Sequence, residues 1–185
     1  MTLFRASLLD ILICSKEGLI EKLLRIEPHS LLRQFDEWVH LNFQTNNKQI
    51  KDVTATWRTY SPGQSAKVDA AAAINTYGIL VGTSDQAVAI SDYNLIAKIA
   101  HGSGAGQLYH NAVTINDPVL VGTTEYFTIT RAFNNISGTT VTVKEIGLIA
   151  QTGSYFTLLE RTTPGDIEVL NTKTLMCQYT FQCSL

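Results

Sequence analysis

Charge is scarce in this chain. Of 185 residues, 16% are Asp, Glu, Lys or Arg, against roughly 25% in an average globular sequence. The net charge is −2 at neutral pH, so neither sign dominates. No basic stripe is visible, and nucleic-acid recognition needs one; nucleic acid is therefore not an expected partner. No apolar run approaches the ~18 residues of a membrane span. The opening MTLFRASLLDILICS has the look of a secretory leader, but Asp10 interrupts its apolar stretch and Lys16-Glu17 stand where a small-residue cleavage site belongs. It reads as mature protein. There are only three cysteines, Cys14, Cys177 and Cys183, and an odd number argues against a disulfide framework. Cys177 and Cys183 share one expected strand and lie ~20 Å apart along it at ~3.3 Å per residue, too far to bridge. Reduced thiols and assembly in a cytosol follow. Repeats and low-complexity tracts are also missing.

Chemical motifs are equally sparse. The glycines of HGSGAGQ (101–107) do not space as G-x-G-x-x-G, and no P-loop Lys-Ser/Thr follows, so the segment reads as an inter-strand loop. None of His29, His40, His101 and His110 stands at metal-ligand spacing. Asp85, Asp92 and Asp117 form no calcium loop and read as turn formers. There is no G-x-S-x-G elbow. Asp166 and Glu168 are the nearest carboxylate pair for glycoside hydrolysis, but they flank a turn and read as solvated. The sequence thus nominates no catalytic residue, cofactor or metal.

Two kinds of pattern are present. In the first 45 residues, Leu8, Leu9, Ile11 and Leu12, then Leu19, Ile20, Leu23 and Leu24, recur at helical spacing. Pro28 ends that stretch, Ser30 offers an N-cap, and Leu31, Phe35, Trp38 and Val39 fall along one side of the next helix. Residues 16–37 carry four basic and five acidic side chains, without the Lys/Arg excess of a membrane-surface helix. These helices form an arm at 1–45 whose apolar side chains, Leu8, Leu12, Leu19, Leu23, Leu31, Phe35 and Trp38, dock on another surface. Removing the arm should leave a folded remainder.

From residue 46 the period changes to two. KDVTATWRTY alternates, GILVGTSD is a short buried strand with a turn, and QLYHNAVTIN is a strand. TLMCQYTFQC places Leu175, Cys177, Tyr179, Phe181 and Cys183 on one face. Eight or so short strands with frequent turn signals predict a mainly β chain, an antiparallel β-sandwich of jelly-roll or Ig-like type at 46–185. Within it, EYFTITRAFNNISGTTVTVKEIGLIA (125–150) reads as a hairpin that places Arg131 and Glu145 among apolar neighbours. With Gly138 at its centre, Arg131 faces Glu145 directly, a cross-strand pair that locks the register.

The order of three segments carries a resemblance. YGILVGTSDQAVAISDYNLIAKIAHG (77–102), FTITRAFNNISGTTVTVKEIGLIA (127–150) and LLERTTPGDIEVLNTKTLMCQYTF (158–181) resemble successive strands of virion structural proteins of tailed bacteriophages, over about residues 75–183. The resemblance implies a non-enzymatic, multi-copy part of a virion, in the tail, neck or baseplate, assembled in the host cytoplasm. Its partners would be other virion proteins and copies of itself, and Arg131 and Glu145 would be framework. A capsid decoration protein is the alternative address. A carbohydrate-binding module for host glycan is a further reading, with Trp57, Tyr93, Tyr109 and the 101–107 loop as its lining.

Overall fold

The computed structural model describes residues 3–26 and 31–184. The expected N-terminal helices are instead two strands, β1 (Leu3–Cys14) and β2 (Ile20–Ile26). They pair antiparallel, Asp10 opposite Arg25 and Leu12 opposite Leu23. The turn between them is built by Ser15, whose carbonyl accepts the Gly18 N–H at 3.0 Å and whose Oγ accepts the Glu17 and Leu19 N–H groups. Gly18, at φ +84°, takes the left-handed conformation such a turn requires. Short apolar runs satisfy the helical and the buried-strand pattern equally. Here Leu9, Ile11 and Ile13 are core residues, and Leu12, on the opposite parity, is buried as well. Leu8 also lies in β1, while Leu19 and Leu23 are exposed. Pro28 and Ser30, read as helix stop and cap, lie outside the described residues.

Among the described residues of the arm, the one helix is α1 (Arg33–Asn42). Its N-cap is Leu32, with no side-chain cap; Leu31 makes an isolated bridge to Glu160. Trp38 and Leu41 are buried, Phe35 packs beside them, and Trp38 meets Tyr60 edge-on at 5.0 Å. Tyr60 belongs to a hairpin of β3 (Lys48–Lys51) and β4 (Trp57–Tyr60). The alternation read through KDVTATWRTY breaks at Asp52, whose carboxylate accepts the Thr54 and Thr56 N–H groups and the Arg58 Nε–H, at 2.8, 3.1 and 2.7 Å. Residues 53–56 therefore form the hairpin turn.

The remaining strands are β5 (Gly78–Gly82), β6 (Tyr109–Ile115), β7 (Val119–Val121), β8 (Thr124–Asn134), β9 (Val141–Val143), β10 (Glu145–Thr152), β11 (Tyr155–Thr162), β12 (Ile167–Val169) and β13 (Thr174–Ser184). The chain is mainly β and its strand pairs are antiparallel. A six-stranded sheet runs β2-β1-β13-β8-β6, with β7 extending the β6 edge of β8. A three-stranded sheet runs β11-β10-β5, and β12 pairs with β9. One apolar cluster joins these sheets: Ile11, Phe133, Leu175 and Tyr179 from the first, Ile79, Val81, Ile146 and Leu148 from the second, Val143 and Val169 from the third. The alternation expected for β13 holds for Leu175, Cys177, Tyr179 and Phe181, all buried. Because β1 pairs with β13 from Leu3 to Cys14, the N-terminal segment is part of the main sheet. Deleting it would strip β13 of a neighbour and uncover the core beneath Leu9 and Ile11.

The hairpin expected at 125–150 does not form. β8 has β13 on one side and β6 and β7 on the other, so no edge is left for β9 or β10. Asn135 turns the chain out of the sheet. Its Nδ2 donates to the Thr139 and Val169 carbonyls at 2.7 and 2.6 Å, and its Oδ1 accepts from the Ser137 N–H and hydroxyl.

Candidate functional site: two buried arginines

Arg131 and Glu145, expected as partners, stand on different faces and bind different groups. Arg131 follows the inward parity of Ile129 and Phe133 along β8. Its guanidinium donates to backbone carbonyls: Nε to Asn111 at 2.8 Å, and the terminal nitrogens to Ile79 at 2.9 Å and Ile74 at 2.5 Å. The Tyr77 and Ala71 carbonyls lie slightly further off. Burial without a facing carboxylate pulls its pKa down to about 10, a shift that the Tyr77 side chain partly offsets. The side chain spreads five donors over the non-strand stretch 71–77, which it ties to β5 and β6.

Glu145 lies on the other side of the three-stranded sheet. Along β10, Ile146 and Leu148 face the main core, whereas Ile149, on the parity of Glu145, joins a second cluster with Leu32, Leu80, Leu95 and Leu158. The Glu145 carboxylate accepts the Ala97 N–H at 2.7 Å and the Ile96 N–H at 3.1 Å. Arg161 Nε donates to it at 2.9 Å, with both side chains fully buried. Arg161 also binds the Asp92 carboxylate at 2.8 Å and the Gln86 carbonyl at 2.9 Å. Opposite Glu145 stands Gly82, where a Cβ would come within 2.4 Å of the Glu145 Oε1 and 2.6 Å of the Ala97 carbonyl. Only glycine lets the carboxylate lie flat against that backbone.

A β-bulge explains how Arg161 reaches this face. The register of β10 and β11 slips between Leu148↔Glu160 and Ile149↔Leu158, leaving Leu159 as the extra residue. Leu159 joins the main core and Glu160 reaches Tyr179 in the six-stranded sheet, while Arg161 turns away to Glu145. Sequence alternation therefore misassigns these residues, and Arg161 carries no local signal beyond a charge in an apolar run.

Chemically, the two arginines are clamps. Each fastens a long segment without regular strands, 71–77 for Arg131 and 86–97 for Arg161, to the sheets. With both guanidinium groups and the Glu145 carboxylate fully buried and their hydrogen-bonding atoms occupied, no substrate atom reaches them. Cys177, opposite Arg131 in the ladder, is buried, which pushes its thiol pKa up. Among the described residues no group of His, Cys, Asp and Glu is arranged to hold a metal ion. Asp85 and Asp166 both lie near Lys144, and Asp92 is held by Arg161. The 101–107 segment is a closed loop: the Gln107 side chain accepts the Gly104 N–H at 2.9 Å, and the Gly102 N–H reaches the Leu108 carbonyl at 3.1 Å.

His110 is a titratable group that feels the Arg131 charge. It is fully buried, and neither ring nitrogen makes a hydrogen bond of acceptable geometry, although the Ile74 carbonyl lies close enough to favour charge. Burial, then Arg131, then His101 lower its pKa to about 4. An unfolded chain takes up this proton near its ordinary value of about 6.5, before the folded protein does. Stability should therefore fall as pH drops from about 6.5 to about 4, by up to ~3 kcal/mol from this residue. Urea midpoints of the wild type and His110→Leu at about pH 7 and about pH 4.5 isolate the effect. The wild type should lose stability relative to the variant at the lower pH; parallel losses would refute the assignment.

A scan against protein-family models, a search of curated proteins and a search of solved structures each give no match for this chain.

Proposed function

We propose that the chain is a non-enzymatic structural subunit of a tailed-phage virion, a multi-copy antiparallel β-sandwich of the tail, neck or baseplate. The order of the three segments at 77–102, 127–150 and 158–181 supports this reading. The structural observation that carries it is the edge of the six-stranded sheet. Val119, Leu120 and Val121 are all exposed along β7, with Leu120 68% accessible, and Ile115 is exposed beside them on β6. Lone proteins guard their edge strands with charge or prolines, and three consecutive bare apolar residues there are a pairing surface. Pro118 guards only the start of β7. At the opposite edge, Leu19, Ile20 and Leu23 are exposed next to charged Glu21, Lys22 and Arg25. Attachment to neighbours through sheet edges replaces attachment through N-terminal helices.

Light scattering over a concentration series tests the reading. The protein should form a closed oligomer at micromolar concentration. Leu120→Glu should shift it towards monomer by about tenfold or more in the association constant, since a buried apolar anchor contributes roughly 1–2 kcal/mol, and leave the melting temperature of the monomer unchanged. A wild type that stays monomeric throughout, or an oligomer indifferent to the substitution, would overturn it.

A further inference from the structure

A small pocket of about 80 Å³, open on one side to solvent, lies where the start of α1 meets the β3–β4 hairpin and the segment around Ser91. Trp57 stands in its wall with half of its surface exposed. Arg33, Gln34, Glu37, Lys51 and Ser91 supply the polar lining. Tyr93, also partly exposed, carries the Lys51 ammonium 4.5 Å from its ring centre. Of the three aromatic residues expected to line a sugar site, Trp57 alone stands in this lining; Tyr93 lies beside Lys51, and Tyr109 packs against His101 at 4.7 Å.

Two further features favour a ligand. Gln34 is buried and its Nε2 donates to the Asp92 carbonyl at 2.9 Å, yet its Oε1 has no protein partner. Buried polar atoms are nearly always satisfied, so an orphaned acceptor in a pocket wall marks a place for a donor. The local charge is also unbalanced. Arg33 and Lys48 both bind Glu37, at 3.1 and 2.8 Å, and Lys51 faces only the Tyr93 ring. Two cations thus share the Glu37 carboxylate, and Lys51 lies beside an aromatic ring. Of the other acids nearby, Asp52 is committed to Arg58 and Asp92 to Arg161, and Asp36 stands exposed in the first turn of α1.

We propose that this pocket binds a carboxylated saccharide, a uronic-acid unit of an acidic glycan. The Arg33 guanidinium lies over one face of the Trp57 ring at 5.7 Å, and the weakly positive C–H groups of a pyranose suit the remaining negative face of the indole. Its hydroxyls meet both donors and acceptors in the lining. Its carboxylate takes the place of the missing counter-charge beside Lys51 and Arg33. An apolar peptide side chain would satisfy neither the orphaned acceptor nor the cations. The proposal is independent of oligomeric state and of the virion reading.

The test is a titration of the full chain with an oligogalacturonate trisaccharide and with the matching neutral galactose trisaccharide, followed by the two tryptophan indole N–H signals. Trp57 should shift saturably, and buried Trp38 should shift less. The acidic sugar should bind more tightly by about threefold or more, the range expected of one partly exposed ion pair. Trp57→Ala should weaken binding by about tenfold or more. Lys51→Gln, a change at a partly exposed position, should bring the acidic sugar down to the neutral one. Absence of a saturable Trp57 shift up to about 10 mM, equal affinity for the two sugars, or a Lys51→Gln variant with unchanged preference would each overturn the proposal.

Discussion

Glu145→Ala should destabilise the fold by about 3–5 kcal/mol, the cost of stranding one partner of a buried ion pair. The substitution leaves Arg161, fully buried, with one carboxylate at Asp92 and one carbonyl at Gln86. It also releases the Ile96 and Ala97 amides, which end on the lost carboxylate. The loss should therefore be local as well as global. In native-state hydrogen exchange those two amides should lose protection before the strands do, as the segment that covers Leu80, Ile149 and Leu158 lifts from the sheet. Breaking the Asp10–Arg25 pair is the control. Its bonds are as short, at 2.7 and 3.0 Å, but the arginine is largely exposed, and such pairs contribute under about 1 kcal/mol. A Glu145→Ala protein within about 1 kcal/mol of wild type, with Ile96 and Ala97 still protected, would show that packing alone holds the segment.

The same residues show how far the sequence can be read. A charge inside an alternating apolar run was enough to single out Arg131 and Glu145, and both are fully buried. What each binds was not readable. Arg131 reaches carbonyls 20 to 60 residues away, and Arg161 reaches Asp92 across 69 residues. Pairing over such distances is set by which strand edges remain free, and both edges of β8 are taken. The bulge at Leu159 adds a change of face that periodicity conceals. β13 was legible because it is apolar on one face and polar on the other. β1 was not, because Leu12 is buried on the face opposite Ile11 and Ile13, and a run buried on both sides has no period of its own. The SKEG turn after it, with serine and glycine between two apolar runs, was the signal for a hairpin. The pocket wall was partly visible in Trp57; the cations of α1 and β3 around it were not, since the segments converge only in the fold.

Glu160→Gln should stabilise the protein at neutral pH by about 3 kcal/mol, and the gain should disappear in acid. Glu160 is almost wholly inaccessible. The Tyr179 hydroxyl donates to its Oε2, and its Oε1 lacks a hydrogen bond of acceptable geometry, although the Thr162 hydroxyl lies close enough to favour charge. Burial outweighs Tyr179, Thr162 and Arg161 and raises the carboxyl pKa to about 8. The folded protein therefore holds a proton that the unfolded chain releases near pH 4.5. The stability contributed by this carboxyl is complete below about pH 4.5 and is lost as pH rises to about 8, the reverse of His110. Between about pH 4.5 and 6.5 the two slopes oppose each other and nearly cancel. Above that range Glu160 acts alone, so the wild type should weaken steadily from about pH 6.5 to 8. Glutamine keeps the size and an acceptor for Tyr179 without a charge to bury. Its urea midpoint should match wild type near pH 4.5, exceed it at pH 7 and show no decline towards pH 8. If the variant is weaker than wild type at pH 7, Glu160 is charged in the fold and its interactions with Tyr179 and Arg161 outweigh its burial.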